Sequence, residues 1–346
     1  MVDTPGLDDE GELGKKRIEK SYQVLNKTDI AVLVIDAKSC LDAGAEENLS
    51  SVEKPLIECF VDKKIPYVIA VNKSEDLTEK EKEQILALFT GEKNLLFVSA
   101  EKKEHIYELK EKIASLADTE EMTLKIVGDL LETGDIAVLV VPIDSAAPKG
   151  RLILPQQQVI RDCLEAGAIP VVTRETELKE ALLALGKKPK LVITDSQAFE
   201  RVAKDTPEDV YLTSFSILFS RYKGDLKQQV EGAKAIRTLK DQDTVLISEG
   251  CTHHRQCGDI GTEKLPNWIR KFTGKELQFE FTSGTEFPRD LSKYALIIHC
   301  GGCTLNEREM KHRLKCAKEQ DVPMTNYGVA IADMHGILDR SLEVFA

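Results

Sequence analysis

The sequence predicts an α/β protein of three domains, each built on a parallel sheet, and three observations carry that expectation. Short aliphatic runs such as Ile30–Ile35, Tyr67–Val71, Leu191–Thr194, Thr244–Ser248 and Tyr294–Ile298 have the length and unbroken apolarity of strands buried on both faces. Between them, apolar residues recur at three- and four-residue spacing, as in Ile106, Leu109, Ile113 and Leu116, the period of a helix with one buried side. Polar stretches at Asp118–Thr123 and Lys240–Asp243 divide the chain into 1–120, 121–240 and 241–346, each long enough to enclose a core.

Composition excludes several classes of function. The net charge of −12 over 346 residues argues against nucleic acid or an anionic membrane as partner. Eight cysteines with no leader-like segment point to a reducing cytoplasm and not to a disulfide framework. Apolar runs such as Ile136–Ile143 are strand length, too short to span a bilayer.

In chain order, Val2-Asp3-Thr4-Pro5-Gly6 resembles the DxxG element of Ras-like GTPases. There the aspartate helps hold Mg²⁺ and the glycine amide meets the γ-phosphate of GTP. The strand Tyr67–Val71 runs into Asn72-Lys73-Ser74-Glu75, close to the guanine-reading NKxD, and Leu95–Val98 runs into Ser99-Ala100, like the last guanine-binding element. Glu75 stands where the pattern has aspartate; Asp76 is one position off and should point elsewhere. No GxxxxGK[ST] phosphate cradle occurs in the sequence, so the first strand and switch I are expected upstream of Met1, and the chain as written is expected not to hydrolyse GTP. Ile85, Leu88 and Phe89 share a helix face. His105 reads as a surface residue, and Cys40 and Cys59 as ordinary thiols.

The middle domain begins at about Leu124, and Asp135–Val140 is its first strand-like run. A long loop through Pro142–Arg151 leads to a helix over Pro155–Ala166, with proline at its start and Gly167 after its end. Ile169–Thr173 reads as a strand. Leu178, Ala181, Leu182 and Leu185 form a helix face. Thr194 and Gln197 fit a capping box after the next strand. Val210–Ser216 reads as a strand or as the start of a helix. This domain has no histidine and no catalytic constellation, and Cys163 falls on an apolar helix face.

The last domain holds the chemistry. Cys251-Thr252-His253-His254 follows one strand-like run, and His299-Cys300-Gly301-Gly302-Cys303 follows another. If the two strands lie side by side, their carboxyl ends bring three thiolates together, soft ligands suited to iron–sulfur clusters, zinc or Cu(I). Gly301 and Gly302 allow a tight turn. Asn306 with Glu309 caps the next helix, whose amino end would favour an anionic thiolate centre; Met310, Leu314 and Ala317 face its core. Cys316 and His312 on that helix read as packing or surface residues, Trp268 as a core residue, and His335 as opening the last helix.

Cys251-x-His253 followed, after residues 254–298, by His299-Cys300-x-x-Cys303, together with Leu305-Asn306, Pro323–Val329 and His335-Gly336, resembles the cluster signature of the HydF family of FeFe-hydrogenase maturation GTPases over nearly the whole chain. The resemblance implies a 4Fe-4S cluster on Cys251, Cys300 and Cys303 with one iron open to an exchangeable ligand. It also implies a homodimer made by the middle domain, a diiron precursor delivered to the apo-hydrogenase, two radical-SAM enzymes as donors, and GTP as a switch on partner release. His253, His254 and His299 compete for the fourth position or orient the centre by hydrogen bonds. Cys257 is an additional thiol that the signature does not require and that could close a four-cysteine set. The alternative is a zinc- or iron–sulfur-dependent metalloenzyme or redox protein using the same residues; no carboxylate pair or nucleophile–base pair stands near them in sequence.

Overall fold

A computed structural model describes residues 2–4, 21–42, 53–117, 125–143, 152–250, 259–284 and 286–346. The chain divides into two compact units, Met1–Met122 and Thr123–Ala346. Among the described residues the strands form three sheets, each wholly parallel, so the α/β class read from the aliphatic runs is the class observed. No helix among these residues is long and apolar enough to cross a membrane.

In the first unit, β1 (Ala31–Asp36), β2 (Tyr67–Asn72) and β3 (Leu95–Phe97) lie in that order. Ile35, Ile69, Val71, Ile85 and Phe89 pack in one cluster, and Ala31, Leu56, Phe60 and Ile65 in another. Thr78 caps the helix Glu79–Leu88, its hydroxyl accepting the Glu81 N–H while the Glu81 carboxylate accepts the Thr78 N–H. The helix Ile106–Ala117 keeps the expected apolar spacing, yet none of its residues is fully buried.

The second unit contains two sheets. The middle one runs β5 (Ile169–Thr173), β4 (Ile136–Val140), β6 (Leu191–Thr194), β7 (Tyr211–Ser214). The last runs β11 (Met324–Asn326), β10 (Leu296–His299), β8 (Thr244–Ser248), β9 (Gln278–Thr282). The helix Tyr327–Met334 joins their cores. Val329 and Ala332 pack with β4, β6 and β7, whereas Tyr327, Ala330 and Ile331 pack with β8 and β10.

One open choice is resolved and three local expectations change. Val210–Ser216 is both things in turn: β7 ends at Ser214, whose hydroxyl caps a helix starting at Phe215. Asp195, not Thr194, caps the turn after β6, because its carboxylate reaches the Gln197 N–H at 3.1 Å. His335 does not open the last helix; it closes the helix Tyr327–Met334 as its carboxyl cap. Trp268 is half-buried at the margin of the last core, whose interior is filled by Leu265 and Ile269 from the same helix. Cys163 is fully buried, and burial pushes its thiol pKa up to about 12, as suits a packing residue.

Candidate functional site

The nucleotide-type residues collect at the carboxyl ends of β2 and β3. Asn72 ends β2, and its side-chain oxygen accepts the Ala100 N–H at 3.0 Å, tying the two loops together. Lys73 adopts the left-handed backbone conformation (φ 63°) and pairs with Asp36 at the end of β1; the lysine is the main reason that the Asp36 carboxyl sits below its ordinary pKa. The Ser74 N–H reaches Val98 O at 3.2 Å, and the Ser99 hydroxyl accepts the Lys102 N–H at 3.0 Å. Glu75 keeps one buried carboxylate oxygen without a hydrogen-bond partner among the described residues, an acceptor of the type that a guanine edge with paired N–H donors would satisfy. Asp76 turns away to Lys38 at 2.9 Å, as its position in sequence suggests. Asp3 is exposed, and Gly6 lies outside the described residues.

The thiol site begins with strand pairing. β8 and β10 are parallel neighbours, with Ser248 opposite His299. The Cys300 N–H extends the ladder to Ser248 O at 2.9 Å. Beyond it, the Gly250 N–H turns onto the Cys300 sulfur at 3.0 Å, and the Thr304 hydroxyl donates to Gly250 O at 3.0 Å. The residue preceding Cys251 is therefore clamped between Cys300 and Thr304. Gly302 adopts φ 61°, and a Cβ there would meet the Met310 sulfur at 2.8 Å, so the turn between Cys300 and Cys303 requires glycine; Gly301 has no such need. The Gly302 N–H also points to the Cys300 sulfur, at 3.4 Å. Two backbone donors on one sulfur favour its thiolate form, the form that binds metal. Cys251, His253, His254 and Cys257 lie outside the described residues. Among those described, no three Cys, His, Asp or Glu side chains gather as a metal site.

His299 lies beneath this edge and is fully buried. Arg313 can only donate, so its contact with His299 Nε2 at 2.9 Å makes that nitrogen the acceptor. Nδ1 then carries the proton and donates to Cys300 O at 2.7 Å. Both ring nitrogens are engaged, so in this structure His299 holds the Cys300 backbone, the arrangement of the reading in which a histidine orients the centre by hydrogen bonds. Burial first, and the Arg313 charge second, push its pKa down from 6.5 to about 3. The unfolded chain accordingly binds more protons between those values, and stability falls as pH drops below 6.5 with a slope approaching about 1.4 kcal/mol per unit from this group. In metal-free protein, the stability lost between pH 7 and pH 5 is expected to be about 2 kcal/mol smaller in His299→Gln than in the parent. Urea unfolding at both pH values checks this; equal losses would refute it.

Two residues here escaped the sequence reading. Arg313 is fully buried and binds Glu309, His299 and the Gly284 carbonyl. Its signal was a charge on the same helix face as Met310, Leu314 and Ala317. Lys223 closes the helix Phe215–Lys223 and reaches the carbonyls of Cys303 at 3.1 Å and Leu305 at 2.8 Å; burial lowers its pKa. Cys316 and His312 pair with each other at 3.5 Å on the helix Glu307–Glu319, apart from the contacts described above.

Three family models match successive parts of the chain. Residues 1–73 match the model of the 50S ribosome-binding GTPase family. Residues 126–224 match the hydrogen maturase F dimerization domain, and residues 227–344 match the hydrogen maturase F tetramerization domain. The search of curated proteins gives no match. The two maturase domains together cover more than half of the chain and follow the GTPase match in sequence order; the chain belongs to the hydrogen maturase F (HydF) family of hydrogenase maturation GTPases.

Proposed function

We propose that this protein is the scaffold and carrier of FeFe-hydrogenase maturation. In this reading it holds a 4Fe-4S cluster on Cys251, Cys300 and Cys303 and passes a diiron precursor to the apo-hydrogenase. The observation that carries the reading is the Gly250 N–H on the Cys300 sulfur, which supports bringing Cys251 to the CxxC turn. When bound, such a cluster supplies an iron position without protein sulfur, where an iron-containing cargo can attach and leave. The chain's own residues do the rest. The Gly250 and Gly302 amides steady Cys300 as thiolate, His299 fixes the carbonyl of the same residue, and the helix beginning at Glu307 directs its amino end toward the cysteine turn. His253 remains the proposed exchangeable ligand. The maturase domains are of self-associating types, and a homodimer through residues 121–240 is the assembly proposed. The two radical-SAM maturation enzymes are the proposed donors. GTP with Mg²⁺, read by Asn72, Lys73, Glu75, Ser99 and Ala100 together with Asp3 and Gly6, is the proposed switch on partner release in a protein that also carries a phosphate cradle.

Anaerobic reconstitution with iron and sulfide, followed by metal analysis and EPR, tests the reading. Cys251→Ser, Cys300→Ser and Cys303→Ser are each expected to lose most of the bound iron, and Cys257→Ser to keep it. Zinc without iron in the parent protein, or iron loss in Cys257→Ser with retention in Cys251→Ser, would overturn it.

A further inference from the structure

Lys223 is placed where an anion is due. It belongs to the helix that follows the middle sheet, yet its ammonium lies against the cysteine turn of the last sheet, with the carbonyls of Gly302, Cys303 and Leu305 at 3.4, 3.1 and 2.8 Å. The Phe219 ring covers it at 5.5 Å. Among the described residues no carboxylate pairs with it, although lysines elsewhere on the surface do pair, as Lys311 does with Glu307. Carbonyl dipoles and a ring face offset part of the cost of taking an ammonium out of water, but not as a full opposite charge would. Metal binding creates that charge, because cysteine ligates as thiolate.

We propose that Lys223 is the counter-cation of the cysteine turn: it stabilises the negative charge gathered at Cys303 and its bound metal centre, and thereby sets how readily that centre accepts an electron. The inference rests on the cluster reading above. Reduction adds one electron and breaks no bond, so the centre becomes more negative by one unit. A nearby ammonium favours that state electrostatically, most strongly where water is excluded. The same contact makes the middle domain's helix a physical part of the site, because the charge is delivered from the dimerization-domain segment to the turn of the tetramerization-domain segment.

The test uses the full chain, reconstituted anaerobically and titrated with dithionite in the presence of redox mediators, the reduced centre being followed by EPR. Lys223→Gln retains donors for the carbonyls and removes the charge. Its ratio of reduced to oxidised centre at a fixed potential is expected to fall about tenfold, a midpoint about 59 mV more negative for one electron. Lys223→Arg should stay near the parent. Lys311→Gln removes an equal charge from an exposed site and should not shift the midpoint. An unchanged midpoint in Lys223→Gln, or an equal shift in Lys223→Arg, would overturn the proposal while leaving the cluster reading intact. If Lys223→Gln takes up no iron, retention in Lys223→Arg supports the charge role and loss in both refutes it. Absence of iron from the parent chain would sink the cluster reading itself, and this inference with it.

Discussion

Replacing Arg313 with methionine is expected to cost the metal-free protein about 3–5 kcal/mol of stability, the range for breaking a buried ion pair from one side. The guanidinium is fully buried and donates to Glu309, His299 Nε2 and Gly284 O at 2.8–2.9 Å, with the Phe287 ring at 5.1 Å. Methionine fills much of the volume but leaves three acceptors unpaired, one of them a carboxylate that is 4 % exposed. The unpaired charge supplies most of the loss, so the double variant Arg313→Met/Glu309→Leu should recover a good part of it. Urea unfolding of the parent, the single and the double variant measures both effects. A single variant within about 1 kcal/mol of the parent, or a double variant less stable than the single, would contradict this account.

Gly232→Ala is expected to be comparably severe, although alanine is the better helix former by about 1 kcal/mol. A Cβ on Gly232 would lie 2.1 Å from Met324 O and 2.6 Å from Met324 C. Those are backbone atoms of β11, so no side chain can rotate out of the way. The helix Leu226–Lys234 would have to move off the strand, opening the packing of Ala233 in the middle core and Met324 in the last. A loss of about 3 kcal/mol or more follows from such overpacking. Gly186→Ala is the matched control, since nothing lies within 4 Å of its added Cβ, and it should change stability by less than about 0.5 kcal/mol. Thermal melting of the two variants side by side decides the matter; a Gly232→Ala melting point equal to that of Gly186→Ala would refute it.

The parts of this molecule that a reader of its sequence can find are those set by local chemistry. Aliphatic runs gave the strands because central parallel strands are buried on both faces, as β4 and β6 are, whereas Val32 and Val34 of β1 are exposed. Asn306 was readable as a cap, and its side chain accepts the Glu309 N–H at 3.1 Å, because capping needs only residues three apart. The side-by-side placement of β8 and β10 was inferable from the two cysteine groups following similar runs. Arg313 was not foreseen: its partners come from Glu309, His299 and Gly284, and only Glu309 is a helical neighbour. Lys223 left no trace at all, since its acceptors are backbone carbonyls, which every residue possesses. The helix Tyr327–Met334 is buried from Tyr327 to Asp333, and a helix buried all round does not say which of two sheets it will cover. It covers both.

That shared helix has a consequence for how the protein is made. The middle sheet is complete in sequence by Ser214, but Val329, Ala332 and Leu338 belong to its core, and Arg340 donates to the carbonyls of Ala203, Thr206 and Pro207. At ribosomal rates of about 5–20 residues per second, the middle sheet waits on the order of ten seconds for the segment that seals it. Throughout that interval the core lacks the side chains of Val329, Ala332 and Leu338 that complete it.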